Sequence, residues 1–328
     1  MAIQFVVLAA GMGKRLQVGG YNGPKILYPL LGRPILSWIL ESIQSASGFA
    51  EPLIVIGYQA EKVREQFKNC RFVVQEKLLG TGEALRIAYS ELNSKEPVLV
   101  LNGDLACVTP EGLENVAQRL TQQSVVMTLA STTVSNFSGW RSPLRNYGQV
   151  IRNVHGQIVA IVEGGAIQPN YHREFELNVG IYCFKRSWLE REISNIPEDP
   201  ETKEYYLTYL AQLAAAEGRV RVASLSPEEA VGVNTPKDAR VAEHLLEHRM
   251  MRMRRAIHSF VSSERDRLGI KKLGTEPGFE GSCIAQGEFN NLLAQLLHTK
   301  EGYGHWKGLE DPGILLGVHT EVRHRLSK

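Results

Sequence analysis

The chain has 328 residues, of which 43% are hydrophobic, so it carries enough apolar material for one large domain or two smaller ones. Its 37 basic and 35 acidic residues give a net charge of +2, which offers no electrostatic reason to expect nucleic acid or a membrane surface as a partner. The four cysteines form no C-x-x-C pair, so neither a disulfide framework nor a cysteine zinc site is expected.

The N-terminal apolar run is too short for a cleavable signal and lacks its basic start. No apolar run reaches the roughly 18 residues of a transmembrane helix. Dispersed cysteines are typical of reduced thiols in the cytosol. We therefore expect a cytoplasmic protein without a membrane partner.

Strands and helices alternate along the first half of the chain. Strands are predicted at Gln4–Leu8, Leu53–Gly57, Phe72–Val74, Val98–Leu101 and Val125–Leu129. Helices are predicted between them at Ile35–Gln44, Ala60–Asn69 and Glu83–Leu92. This order predicts an α/β fold with a mostly parallel sheet and helices on both faces, and such sheets bind ligands beyond the carboxyl ends of their strands.

A glycine-rich turn, LAAGMGKRL, follows the first strand. It is not a P-loop, because Leu8 stands where that motif needs Gly and Arg15 where it needs Ser or Thr. It also lacks the last glycine of the dinucleotide fingerprint, which is Leu16 here. The free backbone N–H groups of the turn, together with Lys14 and Arg15, predict an anion site at the start of a helix. An ordinary strand-to-helix turn is the alternative.

Polar side chains stand at further strand ends. Asp104 follows a buried-looking strand, where a carboxylate needs solvent or a cation such as Mg²⁺, unless it is a helix cap or turn residue. Lys25 can reach the same anion as the glycine turn, unless it is a solvated charge. Gln75 offers a donor and an acceptor that suit an imide edge, and Gly80 allows close approach of a flat ligand such as a base.

The rest of the chain divides into an insertion that completes the first domain and a helical extension. The predicted elements of the insertion are strands Tyr147–Arg152, Gln157–Glu163, Leu177–Phe184, Val220–Ala223 and Ala230–Val233 and helix Glu204–Glu217. We interpret residues 1–235 as one domain and residues 236–328 as an extension with helices at Asp238–Val261 and Glu288–Thr299.

Nine spaced motifs occur in order over roughly residues 3–240: LAAGMGKRL, GPKILYPLLGRP, VVQEKLLGTGEAL, LNGD, YGQVIRN, IVEGG, ELNVGIYCF, EYYLT and GVN. With them the chain resembles the sugar-1-phosphate nucleotidyltransferases. It looks most like the uridyltransferase half of the bifunctional N-acetylglucosamine-1-phosphate uridyltransferase. The resemblance implies a Rossmann-like sheet of the nucleotide-diphospho-sugar transferase type.

The resemblance also implies a role for individual residues. Arg15 and Lys25 would be catalytic, neutralising the triphosphate and the charge that develops on the α-phosphorus. Asp104 and Asn234 would hold Mg²⁺. The nucleotide would be bound by Leu8, Ala10, Gly11, Gly13, Gln75, Gly80 and Thr81, and the sugar by Gly148, Glu163 and Asn178.

The implied reaction joins UTP and a sugar-1-phosphate, by default N-acetylglucosamine-1-phosphate, to give a UDP-sugar and pyrophosphate. A phosphate oxygen of the sugar attacks the α-phosphorus in line. Because that nucleophile is already an anion, no general base is needed, and positioning and charge neutralisation carry the catalysis.

This chain departs from the family pattern mostly on the sugar side. Gln149 stands where Arg is usual, and Gly164-Gly165 replaces charged residues. Val179 replaces Thr, Tyr209 replaces the Asp after E-Y-Y-L-T, and Val231 replaces an acidic residue. The acceptor is therefore open. Alternatives are another sugar phosphate, or phosphocholine with CTP, whose quaternary amine would use an aromatic cage built from Tyr205, Tyr206 and Tyr209.

The hexapeptide repeats of the left-handed β-helix that carries acetyl transfer in bifunctional relatives are missing from this sequence. Neither acetyltransferase activity nor a trimer of that kind is expected. The helical extension is a candidate contact for a homo-oligomer. A sugar-nucleotide-binding regulator with weak catalysis is the alternative to an active enzyme, and the intact Arg15, Lys25, Asp104 and Asn234 favour the enzyme.

Overall fold

The structure, a computed structural model, describes residues 3–46, 50–92, 95–121, 124–162 and 174–267. Its strands are β1 Gln4–Leu8, β2 Pro29–Leu30, β3 Arg33–Pro34, β4 Leu53–Ile56, β5 Arg71–Val74, β6 Val98–Asn102, β7 Met127–Val134, β8 Gln149–Arg152, β9 Ile158–Val162, β10 Phe175–Phe184 and β11 Val220–Ser224. Its α-helices are α1 Lys14–Gln17, α2 Ile35–Ser45, α3 Ala60–Gln66, α4 Gly80–Ser90, α5 Pro110–Gln118, α6 Arg186–Glu192, α7 Thr208–Ala216 and α8 Pro236–Arg267.

The main sheet has the strand order β11-β7-β10-β6-β1-β4-β5, with β8 and β9 attached beside β10. Parallel pairs join β1 to β4 and β6, β4 to β5, and β11 to β7. Strand β10 runs antiparallel to both β6 and β7. The predicted mostly parallel α/β sheet is confirmed, and the register sets Leu8 beside both Val55 and Asn102. The ends of β1, β4 and β6 therefore meet at one edge.

Helices cover both faces of this sheet. Successive residues of a strand point to opposite faces. Val6 and Leu8 belong to a buried cluster with side chains of α4, α6 and α7, whereas the equally buried Phe5 and Val7 lie outside that cluster. Helix α5, whose Leu113 is fully buried outside the same cluster, packs on β7, β10 and β11. Because both faces of these strands are buried, nearly every residue in them is hydrophobic.

Two predicted elements differ from the structure. Ala230–Val233 is not a strand, because Val233 N donates to Asp104 O (3.0 Å) rather than to a neighbouring strand. The helix predicted from Glu204 begins only at Thr208, since the preceding residues bond to the start of α4 instead. The helix predicted at Glu288–Thr299 lies outside the described residues.

A first compact unit ends at His244, inside α8, and a second begins at Leu245. Within the described ranges, no helix combines the length and the apolar character that a membrane span requires.

Candidate active site

The glycine turn after β1 is fixed by the neighbouring strand and by close packing. Ala9 N donates to Val55 O (2.8 Å), and Tyr58 N donates to Ala10 O (3.1 Å). Gly13 has φ +66°, and a Cβ there would lie 2.9 Å from Lys25 Cβ. A side chain at this position would be strained by the positive φ and would clash with Lys25. Glycine therefore allows the short 3-10 helix that begins at Lys25 to pack closely against the turn at the sheet edge.

Four side chains from distant parts of the chain form one polar cluster. Lys25 Nζ lies 2.8 Å from Asp104 Oδ2 and 2.7 Å from Asn234 Oδ1. Asn234 Nδ2 donates to Asp104 Oδ2 (3.1 Å), and Arg15 donates to Asn234 Oδ1 (3.0 Å). The side chains of Lys25 and Asp104 are each 17% exposed, so their charges act in a partly dry environment where Coulomb interactions exceed those in water. The cluster presents two cations beside one carboxylate.

The start of α8 fixes the position of Asn234. The backbone N–H groups of Asn234 and Thr235 donate to Asp238 Oδ2 (3.2 and 2.8 Å), and Asp238 N donates back to Thr235 Oγ1 (3.2 Å). This reciprocal capping gives partners to backbone N–H groups at the helix start that have none within the helix. Asn234 is thereby fixed just ahead of the helix, facing Asp104.

Tyr147 closes the inner side of the cluster. Its hydroxyl donates to Ala230 O (2.6 Å), and a Cβ at Gly232 would come within 2.5 Å of that hydroxyl oxygen. Burial, and then the negative charge of Asp104, raise the pKa of Tyr147 well above its ordinary value. The phenol stays protonated and holds the segment before Asn234 in place.

A first cavity of about 470 Å³ opens over the glycine turn. Gln75, a residue that is only 3% exposed, lines it and donates from Nε2 to Gly80 O (3.0 Å). Thr81 Oγ1 accepts from Leu207 N (3.1 Å). The predicted residues that line this cavity are Leu8, Ala10, Gly11, Gly13, Lys14, Lys25, Gln75, Gly80, Thr81 and Asp104.

A second cavity of about 940 Å³ lies between β10 and the segment before α7. Gly148 and Asn178 line it, and Asn178 N donates to Gly148 O (2.8 Å). The side-chain amide of Asn178 donates to the Tyr182 hydroxyl (2.7 Å). Glu163, the third predicted sugar residue, lies outside the described residues.

The two cavities meet at Asp104. The residues that line both are Thr81, Asn102, Asp104 and Tyr206. Arg15 and Asn234 line neither cavity but join the junction through their hydrogen bonds to the cluster. The arrangement offers two ligands a common meeting point beside two cations.

Sequence reasoning gave no role to Asn102 or Gly180, and it named Tyr206 only as a member of the alternative aromatic cage, not as a residue that lines both cavities. The β10–β7 register shifts between Asn178 and Tyr182, and Gly180 has φ +82° within that bulge. A Cβ at Gly180 would lie 2.2 Å from Asn102 Nδ2, so the bulge leaves room for that side chain at the junction. A glycine inside a strand pattern was the available signal.

Two comparisons cover the sequence. The model of the MobA-like NTP transferase domain matches residues 5–164. The Bifunctional protein GlmU of Geotalea daltonii is 34% identical over 235 residues, which are 70% of this chain and 49% of the relative. The Bifunctional protein GlmU of Desulfotalea psychrophila is 32% identical over 265 residues, which are 79% of this chain and 74% of the relative. The chain spans about half the length of most of the curated relatives it matches.

Solved structures share the fold. A UDP-glucose pyrophosphorylase complexed with UDP-glucose superposes with a TM-score of 0.57 at 18% identity, over 76% of this chain and 100% of the other. At this identity the likeness concerns the fold alone.

Proposed function

The chain belongs to the sugar-1-phosphate nucleotidyltransferases with a MobA-like NTP transferase domain, and we propose that it joins UTP to a sugar-1-phosphate, releasing pyrophosphate. N-acetylglucosamine-1-phosphate is the first acceptor to test, because the relatives are GlmU proteins. The observation that carries the proposal is the meeting of two cavities at Asp104, beside Lys25 and Arg15.

The nucleotide is assigned to the first cavity. The backbone N–H groups of Gly11, Met12 and Gly13 donate to no other group in the described part of the chain, which suits them to phosphate oxygens. Gln75 also lines this cavity, and its amide can pair with the imide edge of uracil. In this assignment the triphosphate lies near Lys25 and the base near Gly80.

The acceptor is assigned to the second cavity, with its phosphate at the shared junction. A phosphate oxygen of the acceptor forms a bond to the α-phosphorus of UTP while the bond from that phosphorus to the β-bridging oxygen breaks. The electron pair of the broken bond leaves on pyrophosphate. The nucleophile is an anion from the start, so Lys25 and Arg15 have to neutralise charge rather than move a proton.

A divalent cation fits the oxygens of the cluster. Asp104 Oδ2 and Asn234 Oδ1 lie 2.8 and 2.7 Å from the single positive atom Lys25 Nζ, so two hard oxygens already converge on a cation. Among the described residues no group of three or more His, Cys, Asp or Glu side chains could hold a metal. Mg²⁺ needs only one or two protein oxygens when phosphates and water complete its shell. When bound by Asp104 and Asn234, Mg²⁺ would offset the negative charge of the triphosphate.

Pyrophosphate release in a matrix of substrates tests this function. The nucleotides are UTP, CTP, GTP, ATP and dTTP. The acceptors are the 1-phosphates of N-acetylglucosamine, glucosamine, glucose and mannose, together with phosphocholine. We expect release with UTP and a sugar phosphate. A signal confined to CTP with phosphocholine would replace the proposed substrates, and no signal above the enzyme-free control in any pair would contradict nucleotidyl transfer to these acceptors.

A further inference from the structure

Two tyrosines form part of one wall of the second cavity, and their neighbour does not. Tyr206 and Tyr209 both line this cavity. Tyr205 lines neither cavity, since its ring lies under the guanidinium of Arg86, with 4.8 Å from Arg86 Cζ to the ring centroid. Of these three tyrosines, Tyr205 therefore packs inward, whereas Tyr206 and Tyr209 face the second cavity.

The position of Tyr209 is fixed by the fold. It is the second residue of α7, and its backbone N–H donates to Tyr206 O (3.1 Å). Its half-buried ring packs against the buried cluster that contains Leu210 and Ala211. A ring that is supported by the core while also lining a cavity is a preorganised surface for a ligand.

The other side chains of the cavity supply polar partners. Asn146, Asn178, Thr202 and Gln212 line it together with the two tyrosines. Its volume of about 940 Å³ is far larger than phosphocholine, the alternative acceptor, requires. A sugar ring with its substituents fits this volume. A pyranose matches this lining, because its apolar C–H face can pack on an aromatic ring while its hydroxyl groups bond to the polar side chains.

We propose that Tyr209 is a specificity-determining residue for the acceptor, which is a pyranosyl phosphate whose C–H face packs on the Tyr209 ring. This inference rests on the proposed function, because it identifies the second cavity as the acceptor site. Tyr209 stands where the family motif E-Y-Y-L-T is followed by Asp, so the aromatic surface is a property of this chain. Burial of an apolar sugar face on an aromatic ring contributes to affinity through the hydrophobic effect, which a carboxylate at this position cannot supply.

Kinetics of Tyr209→Ala and Tyr209→Leu test the proposal, with Tyr205→Phe as the matched control. Leucine keeps the packing against the core cluster but removes the aromatic ring. This variant therefore distinguishes an effect of the lost ring from an effect of disturbed folding. We expect both Tyr209 variants to raise the KM for the sugar phosphate about tenfold, the size of one lost ring contact, and to change the KM for UTP less than twofold. Tyr205→Phe should leave both KM values unchanged.

Calorimetric titration of the full chain with each sugar phosphate gives the same comparison without turnover. A Kd that rises in Tyr209→Leu but not in Tyr205→Phe supports the role of Tyr209, even if no UDP-sugar forms and the proposed function fails. If the wild type turns over or binds a sugar phosphate and Tyr209→Leu matches it, the proposal is wrong. It is also wrong if the wild type binds phosphocholine but none of the sugar phosphates.

Discussion

At the scale of single residues, Asp104 carries most of the electrostatic argument. Its Oδ2 atom receives hydrogen bonds from both Lys25 and Asn234, and its side chain lines both cavities. Replacing it by alanine removes the only carboxylate of the cluster. We expect Asp104→Ala to lower kcat at least a hundredfold while unfolding stays cooperative, because no packed apolar group is lost. Near-wild-type turnover with Mg²⁺ would contradict the assignment of Asp104 as a metal ligand.

Lys25 is the counterpart on the cationic side. Lys25→Met keeps the length of the side chain and removes its charge, so the α-phosphorus loses a neutralising group. We expect kcat to fall about a hundredfold with a small change in melting temperature. The matched control is Lys62→Met on the exposed side of α3, which should leave kcat unchanged. A Lys25→Met protein that fails to fold would instead mean that Lys25 is structural.

Several of these residues were predictable because strand ends and glycine turns leave local signals. Lys25, Gln75 and Asp104 follow or flank apolar runs, and the structure brings them to one sheet edge. Asn234 was assigned through the family resemblance alone, because its place depends on the capped start of α8, far along the chain. The run of tyrosines drew attention to Tyr206, but its place between the two cavities was not predictable, since it depends on the bond between Leu207 N and Thr81 Oγ1.

At the scale of elements, the bulge in β10 shapes the junction of the cavities. Gly180→Ala would place a Cβ 2.2 Å from Asn102 Nδ2 at φ +82°. We expect a loss of about 2 kcal/mol in the free energy of unfolding, measured with urea, together with a fall in kcat as Asn102 moves. Gly218→Ala is the control, because Gly218 also has positive φ (+66°) but nothing lies within 4 Å of its added Cβ. It should lower stability without affecting kcat, and equal effects on kcat would contradict the role of the bulge.

The capped start of α8 links stability to the cluster. Asp238→Ala removes the acceptor of two backbone N–H groups, those of Asn234 and Thr235. A lost cap typically costs about 1 kcal/mol of stability, so thermal unfolding should shift downward. Because Asn234 loses its anchor, the concentration of Mg²⁺ needed for half-maximal rate should rise as well. A lower melting temperature with an unchanged Mg²⁺ dependence would show that the cap supports the helix only.

Element positions were predictable where hydrophobic runs were long and buried on both faces, as in β1 and β6. The failures came where tertiary hydrogen bonds replaced local structure. Residues before Thr208 read as helix, but Tyr205 N donates to Leu79 O and Gly82 N donates to Tyr205 O. Such bonds connect residues more than a hundred positions apart, and no local pattern contains them.

At the scale of the whole molecule, the same bonds tie the two candidate binding regions together. Thr81, which lines both cavities, and its neighbour Gly82 are bonded to the segment that leads into the wall of the second cavity. The end of β1, which is paired in parallel with β6, borders the first cavity, and the antiparallel β10 borders the second. The fold class was predictable from the order of elements, whereas the pairing of β10 between β6 and β7 was not, because strand order depends on long-range contacts.

The most direct test of the central claim is to follow α-³²P-labelled UTP with Mg²⁺ and the best sugar phosphate of the matrix. We predict that the label moves into a UDP-sugar in step with pyrophosphate release, and that Asp104→Ala abolishes the transfer. Label that appears only as UMP or UDP, or that stays in UTP while UTP still raises the melting temperature, would contradict nucleotidyl transfer. The second of these results would identify a nucleotide-binding protein instead.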